Sequence, residues 1–160
     1  MVKILLSREE VNPDRPDNCG RTPLSYVAEG GYMGGNMREH TGVVKMLLGR
    51  GEVNPDRPDS IGRTPLSYAA EGWYRDGLYR PRRENTRVVK ILLGQGNVNP
   101  DRPDNCGRTP LSYDAQRGLG TVAILLLGVK GVNPDTPDNN GKTPRMFAAI
   151  WHHMTWMALL

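Results

Sequence analysis

The sequence has little of what builds a single large core. Only 38% of its 160 residues are apolar, and phenylalanine occurs once, at Phe147. Two cysteines, Cys19 and Cys106, cannot form a disulfide framework. No Asn-x-Ser/Thr sequon occurs. The apolar run at residues 2–6 turns charged at Arg8-Glu9-Glu10, too short for a signal-peptide core, and no stretch is long enough to span a bilayer. A cytoplasmic, reducing setting without membrane contact is the expectation.

Signs of chemistry are equally scarce. Cysteine and histidine follow no consistent spacing, and His152-His153 has no further histidine but His40, which speaks against a zinc site. Gly30-Gly31-Tyr32-Met33-Gly34-Gly35 lacks the following Lys-Ser/Thr of a phosphate loop and reads as a flexible insertion. Carboxylates and hydroxyls are plentiful, but they recur periodically, whereas an active site is one asymmetric cluster. No cofactor, no metal and no enzymatic activity are expected.

What is abundant is glycine (19) and proline (13), and both are periodic. Val-Asn-Pro-Asp-Arg-Pro-Asp occupies residues 11–17, 53–59 and 98–104, and returns at 132–138 with Thr136 in place of the arginine. Each copy is followed by Gly-Arg/Lys-Thr-Pro, with the glycines at 20, 62, 107 and 141. Between copies run the apolar segments 43–48, 88–93 and 122–127, and residues 2–6 form a further copy. Such self-similarity is the signature of a stacked array.

Each piece has a local meaning. Thr22, Thr64, Thr109 and Thr143 precede a proline and suit a helix N-cap, because the hydroxyl accepts from orphan amides and proline at the first helical position forfeits no bond. This first helix ends near Gly30, Gly72 or Gly118. A second, more apolar helix is expected to open at Thr41, Thr86 or Thr121 as N-cap and to close at Gly49, Gly94 or Gly128 as C′ residue. The prolines keep Asn12, Asn54, Asn99 and Asn133 extended, so each unit is a projecting finger followed by a helical hairpin. One hairpin cannot bury its apolar face alone, and neighbours must stack.

Gly-Arg-Thr-Pro-Leu-Ser-Tyr-x-Ala followed by Val-Val-Lys-x-Leu-Leu closely resembles the ankyrin repeat. The fingers also resemble those of tandem ankyrin arrays in fungal NACHT-type sensor proteins. The resemblance implies an all-α solenoid and one array over residues 1–160. Its parts are a half-repeat (1–10), repeat 1 (11–52, insertion about 30–40), repeat 2 (53–97, insertion about 73–85), repeat 3 (98–131) and an apolar, truncated repeat 4 (132–160). Departures are Ser25, Ser67, Ser112 and Met146 at the usual histidine, Asp114 at a small packing position, and Arg145 where a buried leucine is expected. The last two suggest a loosened C-terminal end.

The resemblance further implies a protein-binding scaffold that uses finger tips and the inner face of the first helices. Carried over, the positions are Asn18, Cys19 and Arg21; Ser60, Ile61 and Arg63; Asn105, Cys106 and Arg108; and Asn139, Asn140 and Lys142. On the fingers themselves lie Arg15, Arg57, Arg102 and Thr136, and on the inner helices Glu29, Glu71, Gln116, Arg117, Ile150 and Trp151. The cation ladders suit an acidic or phosphorylated partner. Alternatively, the arginines pair with Asp17, Asp59 and Asp104 and stiffen the fingers. Tyr26, Tyr68, Tyr113 and Phe147 share one helical position and read as seam-filling aromatics. The two cysteines lie two repeats apart, beyond disulfide reach, and read as free thiols.

Residues 73–90 hold six basic and two acidic side chains, which accounts for the whole net charge of +4. Trp73, Arg75, Arg80, Arg82, Arg83 and Arg87 could serve a polyanion or nucleic acid, or simply fill a tolerated insertion. The C-terminal residues 146–160 are apolar, and they suggest self-association through the last hairpin.

Overall fold

The computed structural model describes residues 11–30, 38–72, 74–75, 78–79, 83–118 and 120–150. The half-repeat, residues 31–37, Trp73, Arg80, Arg82 and the apolar tail 151–160 lie outside the described residues. Expectations placed on them stay at the level of sequence.

Seven helices are described: α1 (Pro23–Glu29), α2 (Arg38–Leu48), α3 (Pro65–Glu71), α4 (Arg83–Leu93), α5 (Pro110–Arg117), α6 (Thr121–Leu127) and α7 (Pro144–Ile150). The short helices α1, α3, α5 and α7 stack in sequence as an inner layer, and α2, α4 and α6 stack as an outer layer. Each inner helix also packs on the outer helix that follows it: α1 on α2, α3 on α4, α5 on α6. The stack continues past both insertions. The second insertion carries a small antiparallel ribbon, β1 (Tyr74–Arg75) and β2 (Leu78–Tyr79), which pairs Tyr74 with Tyr79 and Arg75 with Leu78. This ornament leaves the all-α solenoid intact.

The inner helices begin as their caps dictate. Thr22 and Thr64 accept the Ser25 and Ser67 amides at 3.2 Å, and Thr109 accepts the Ser112 amide at 3.3 Å. The serine hydroxyl lies 3.1–3.2 Å from the same threonine oxygen, so both buried hydroxyls satisfy each other. Gly30 and Gly118 close their helices in the left-handed conformation. The outer helices differ from expectation. Thr41 and Thr86 stand inside α2 and α4, which already start at Arg38 and Arg83, and Thr121 is the first residue of α6 behind Gly120. Gly128 is right-handed (φ −72°, ψ −11°), so it is not a left-handed C′ residue. A Cβ on Gly49, Gly94 or Gly128 would come within 3.3–3.4 Å of a carbonyl in the preceding turn. Their smallness relieves crowding where the helix ends.

The core runs along the seam between the layers. Leu24, Leu66 and Leu111 are fully buried at one inner position, against Val44, Val89, Leu92, Val122 and Leu126 of the outer helices. Asp114 is also fully buried and accepts the Ala123 amide at 3.1 Å, tying the hairpin of α5 and α6 together. Arg145 turns outward and pairs with Asp135 at 2.9 Å, so the buried leucine of the other repeats has no counterpart on α7.

Candidate functional site: the finger row

Fingers are built by two short-range devices. In each, the asparagine Oδ1 accepts the amide two residues on, Asp14, Asp56, Asp101 or Asp135, at 2.9–3.0 Å, which fixes the first bend. The second aspartate (Asp17, Asp59, Asp104, Asp138) then accepts two tip amides through one oxygen. For Asp59 these are Ile61 and Arg63, at 3.0 and 2.9 Å. The Asp59 amide in turn donates to the Arg63 carbonyl at 3.0 Å and Gly62 to the Asp59 carbonyl at 3.0 Å. The tip is thus a closed, self-satisfied turn.

Successive tips are joined into a ribbon. The Ser60 amide donates to the Cys19 carbonyl at 2.9 Å, Asn105 to Ile61 at 3.0 Å, and Asn139 to Cys106 at 2.9 Å. The Asn105 and Asn139 side-chain amides add bonds to the Ser60 and Asn105 carbonyls at 3.1 and 2.9 Å. Gly62 must be glycine twice over. Its φ is +82°, and a Cβ there would sit 2.8 Å from the Asn105 nitrogen.

The arginines are committed to this scaffold. Arg57 bonds the Asp14 carboxylate at 3.0 Å and Arg102 bonds Asp56 at 3.1 Å, each reaching back to the preceding finger. They do not pair with Asp59 and Asp104 as the sequence suggested, because the second oxygens of Asp17, Asp59 and Asp104 accept the Tyr26, Tyr68 and Tyr113 hydroxyls at 2.6, 2.5 and 2.5 Å. Burial, followed by the aspartate bond, raises the Tyr68 and Tyr113 phenols well above their ordinary pKa. The Tyr26 hydroxyl holds Asp17 below the usual carboxylate range.

Arg21 and Arg63 lie between rings of successive repeats. Arg21 is 4.0 Å from the Tyr26 centroid and 4.3 Å from that of Tyr68; Arg63 is 4.1 Å from Tyr68 and 4.2 Å from Tyr113. Arg21 also pairs with Glu29 at 2.5 Å, and Arg63 with Glu71, which accepts Arg117 as well at 2.7 Å. Arg108 lies 5.7 Å from the Phe147 ring and 3.7 Å from Asp138, while exposed Lys142 is 6.0 Å from the same ring. The expected cation ladder is therefore a structural seam of alternating rings and guanidinium groups.

Asn18, Cys19, Ser60, Ile61, Asn105, Cys106, Asn139 and Asn140 remain exposed at the tips, with both thiols free. None carries a formal charge. At the second tip position the row reads Cys19, Ile61, Cys106 and Asn140, and Ile61 is 54% exposed between the two cysteines. Arg15 is exposed on the first finger. Of the basic insertion, Arg75 lies in β1, Arg83 begins α4, and Arg87 is exposed on α4. Among the described residues no cluster of three or more His, Cys, Asp or Glu could hold a metal ion, and no helix is long and apolar enough to cross a membrane.

Stacked helical hairpins with a hydrogen-bonded finger row define a solenoid repeat protein. The family model described as ankyrin repeats, in three copies, matches residues 1–78 and again 81–160. The chain belongs to the ankyrin-repeat family. Its members are in general protein–protein interaction modules and typically non-catalytic. No curated protein matches the chain.

Proposed function

We propose that this array binds a protein partner along its finger row, with Cys19, Ile61 and Cys106 as the central contact and the flanking asparagines and Ser60 as its polar rim. The observation that carries the reading is the exposed apolar position at Ile61, set between two thiols on a ribbon whose backbone groups are already satisfied. Such a surface loses little conformational freedom on binding. Because Arg21, Arg57, Arg63 and Arg102 are engaged within the array, the favoured partner presents apolar and neutral polar groups in place of phosphate. The finger resemblance suggests the recognition part of a larger sensor, with a cytoplasmic location.

Capture of partners from native extract by the wild-type chain and by Ile61→Glu tests this. A partner retained at moderate salt by the wild type and lost by the variant is the expected result. Retention by both places the contact elsewhere. Steeply salt-dependent, sequence-indifferent nucleic-acid binding would instead favour the basic segment 73–90.

A further inference from the structure

Two of the three finger-to-finger junctions seat a guanidinium group in the same way. Between the first and second fingers, Arg57 Nη1 donates to the Asp14 carboxylate at 3.0 Å and to the Asp14 carbonyl at 3.3 Å. Between the second and third, Arg102 Nη1 donates to the same two groups of Asp56, at 3.1 and 3.4 Å. The carboxylates are recessed, with the Asp14 and Asp56 side chains 9% and 11% exposed, whereas those of Arg57 and Arg102 are 41% and 39% exposed. Each guanidinium thus reaches a recessed carboxylate along a route that is open to solvent.

The junction between the third and fourth fingers keeps the carboxylate and changes the donor. Asp101 stands where Asp14 and Asp56 stand, and Thr136 stands where the arginines stand. The threonine hydroxyl branches from Cβ, several atoms short of a guanidinium head. Asp101 Oδ2 accepts the Asn133 amide at 3.3 Å and the Thr136 hydroxyl at 3.5 Å, both long. Its Oδ1 is buried without a hydrogen-bond partner, as are those of Asp14 and Asp56. No cation faces Asp101 among the described residues. Arg145, the basic residue that follows on α7, is engaged by Asp135. Burial raises the Asp101 pKa, as it does for a carboxylate desolvated without a counter-ion.

We infer that Asp101 is a docking point for an arginine side chain of a protein partner, which takes between chains the place that Arg57 and Arg102 take within this one. The incoming guanidinium donates to the Asp101 carboxylate and carbonyl and displaces the long Thr136 contact. A guanidinium suits this recess because it is planar, always charged and less strongly hydrated than an ammonium group. Its bond to a carboxylate is charge-assisted, and partial burial shields it from the screening that weakens surface pairs. This goes beyond the finger-row reading. The site lies at the first bend of the third finger, away from the tips, and it adds one cation to a partner surface that is otherwise apolar and neutral.

Backbone-amide NMR of the full chain, titrated at low salt with N-acetyl-arginine amide, tests the inference. Saturable shifts are expected at Asp101, Asn133 and Thr136. N-acetyl-citrulline amide, the neutral isostere, should bind roughly ten-fold more weakly or worse. Asp101→Asn removes the charge, and Thr136→Arg supplies a guanidinium from within the chain. Each should abolish the shifts, while the rest of the spectrum shows that the fold is kept. Thr136→Arg restores the arrangement of the earlier fingers, so it serves as the test even where Asp101→Asn unfolds. The proposal is overturned if arginine produces no saturable shift at Asp101, or shifts spread evenly over the chain's carboxylates. It is equally overturned if citrulline binds as well as arginine, or if a folded Thr136→Arg chain still binds the probe at Asp101. Ile61→Glu, which disrupts the tip contact, should leave the arginine shifts in place, so the two readings fail separately.

Discussion

Phe147 offers the sharpest test of how the seam works, because the other repeats serve as its controls. In three repeats a tyrosine hydroxyl occupies the second oxygen of the finger aspartate at 2.5–2.6 Å. In the fourth, phenylalanine removes that donor. The Asp138 side chain is 1% exposed, and its Oδ2 has no hydrogen-bond partner; the nearest cation is Arg108 Nε at 3.7 Å. A buried acceptor left in that state costs about 1–3 kcal/mol. Phe147→Tyr should recover part of this penalty, since the carboxylate is already desolvated and the ring is already placed, with Phe147 itself 5% exposed. A gain of about 1–2 kcal/mol is expected, reduced by the desolvation of the added hydroxyl.

Tyr113→Phe should lose about 1–3 kcal/mol at the same position one repeat earlier, with Tyr68→Phe similar and Tyr26→Phe the smallest change because Tyr26 and Asp17 are exposed. Urea melts followed by circular dichroism give the totals. Hydrogen exchange shows whether the Phe147→Tyr gain falls on the last finger and α7, as nearest-neighbour coupling in an array requires. If Phe147→Tyr is neutral or destabilising while Tyr113→Phe is destabilising, the aspartate–hydroxyl bond is not the transferable unit described above.

Three further outcomes follow from the same seams. Asp101 faces Thr136 at 3.5 Å where the earlier fingers supply arginine, and burial raises its pKa. Ionising Asp101 therefore lowers stability as pH rises from the unfolded-state pKa through the folded one. Thr136→Arg should add about 0.5–1 kcal/mol at neutral pH and nothing at acid pH where Asp101 is protonated in both states, as melts at the two pH values will show. Gly62→Ala should cost more than the roughly 1–2 kcal/mol of left-handed strain alone, whereas Gly141→Ala, also left-handed but in open space, should cost only the strain; equal losses would remove close approach from the account. Leu66→Ala should cost about 2–5 kcal/mol and Arg57→Ala about 1 kcal/mol, and a larger loss at Arg57 in denaturant melts would make the finger rung, not the core, the main support.

The repeat, the helical hairpins and the threonine caps were legible because each rests on contacts within about four residues, or on periodicity that survives a change of spacing. The outer-helix starts were not. Thr41 and Thr86 look like caps, yet α2 and α4 begin three residues earlier, and nothing local in the sequence separates the two. The arginines left two readings open for a different reason. Their periodicity was plain, but whether a periodic cation meets solvent or the neighbouring repeat depends on contacts 43–46 residues away in sequence, such as Arg57 with Asp14 and Arg102 with Asp56.

One signal could have resolved it. Wherever the finger aspartate at 17, 59 or 104 occurs, a tyrosine follows nine residues later, and an arginine stands between them. At the fourth repeat the tyrosine becomes phenylalanine and the arginine becomes lysine together, and Thr136 replaces the finger arginine. Side chains that change together mark a shared seam, whereas independent recognition residues would have no reason to vary as a set. The exposed second tip position, Cys19, Ile61, Cys106 and Asn140, varies outside that set, and it is the part of the row that we propose for the partner.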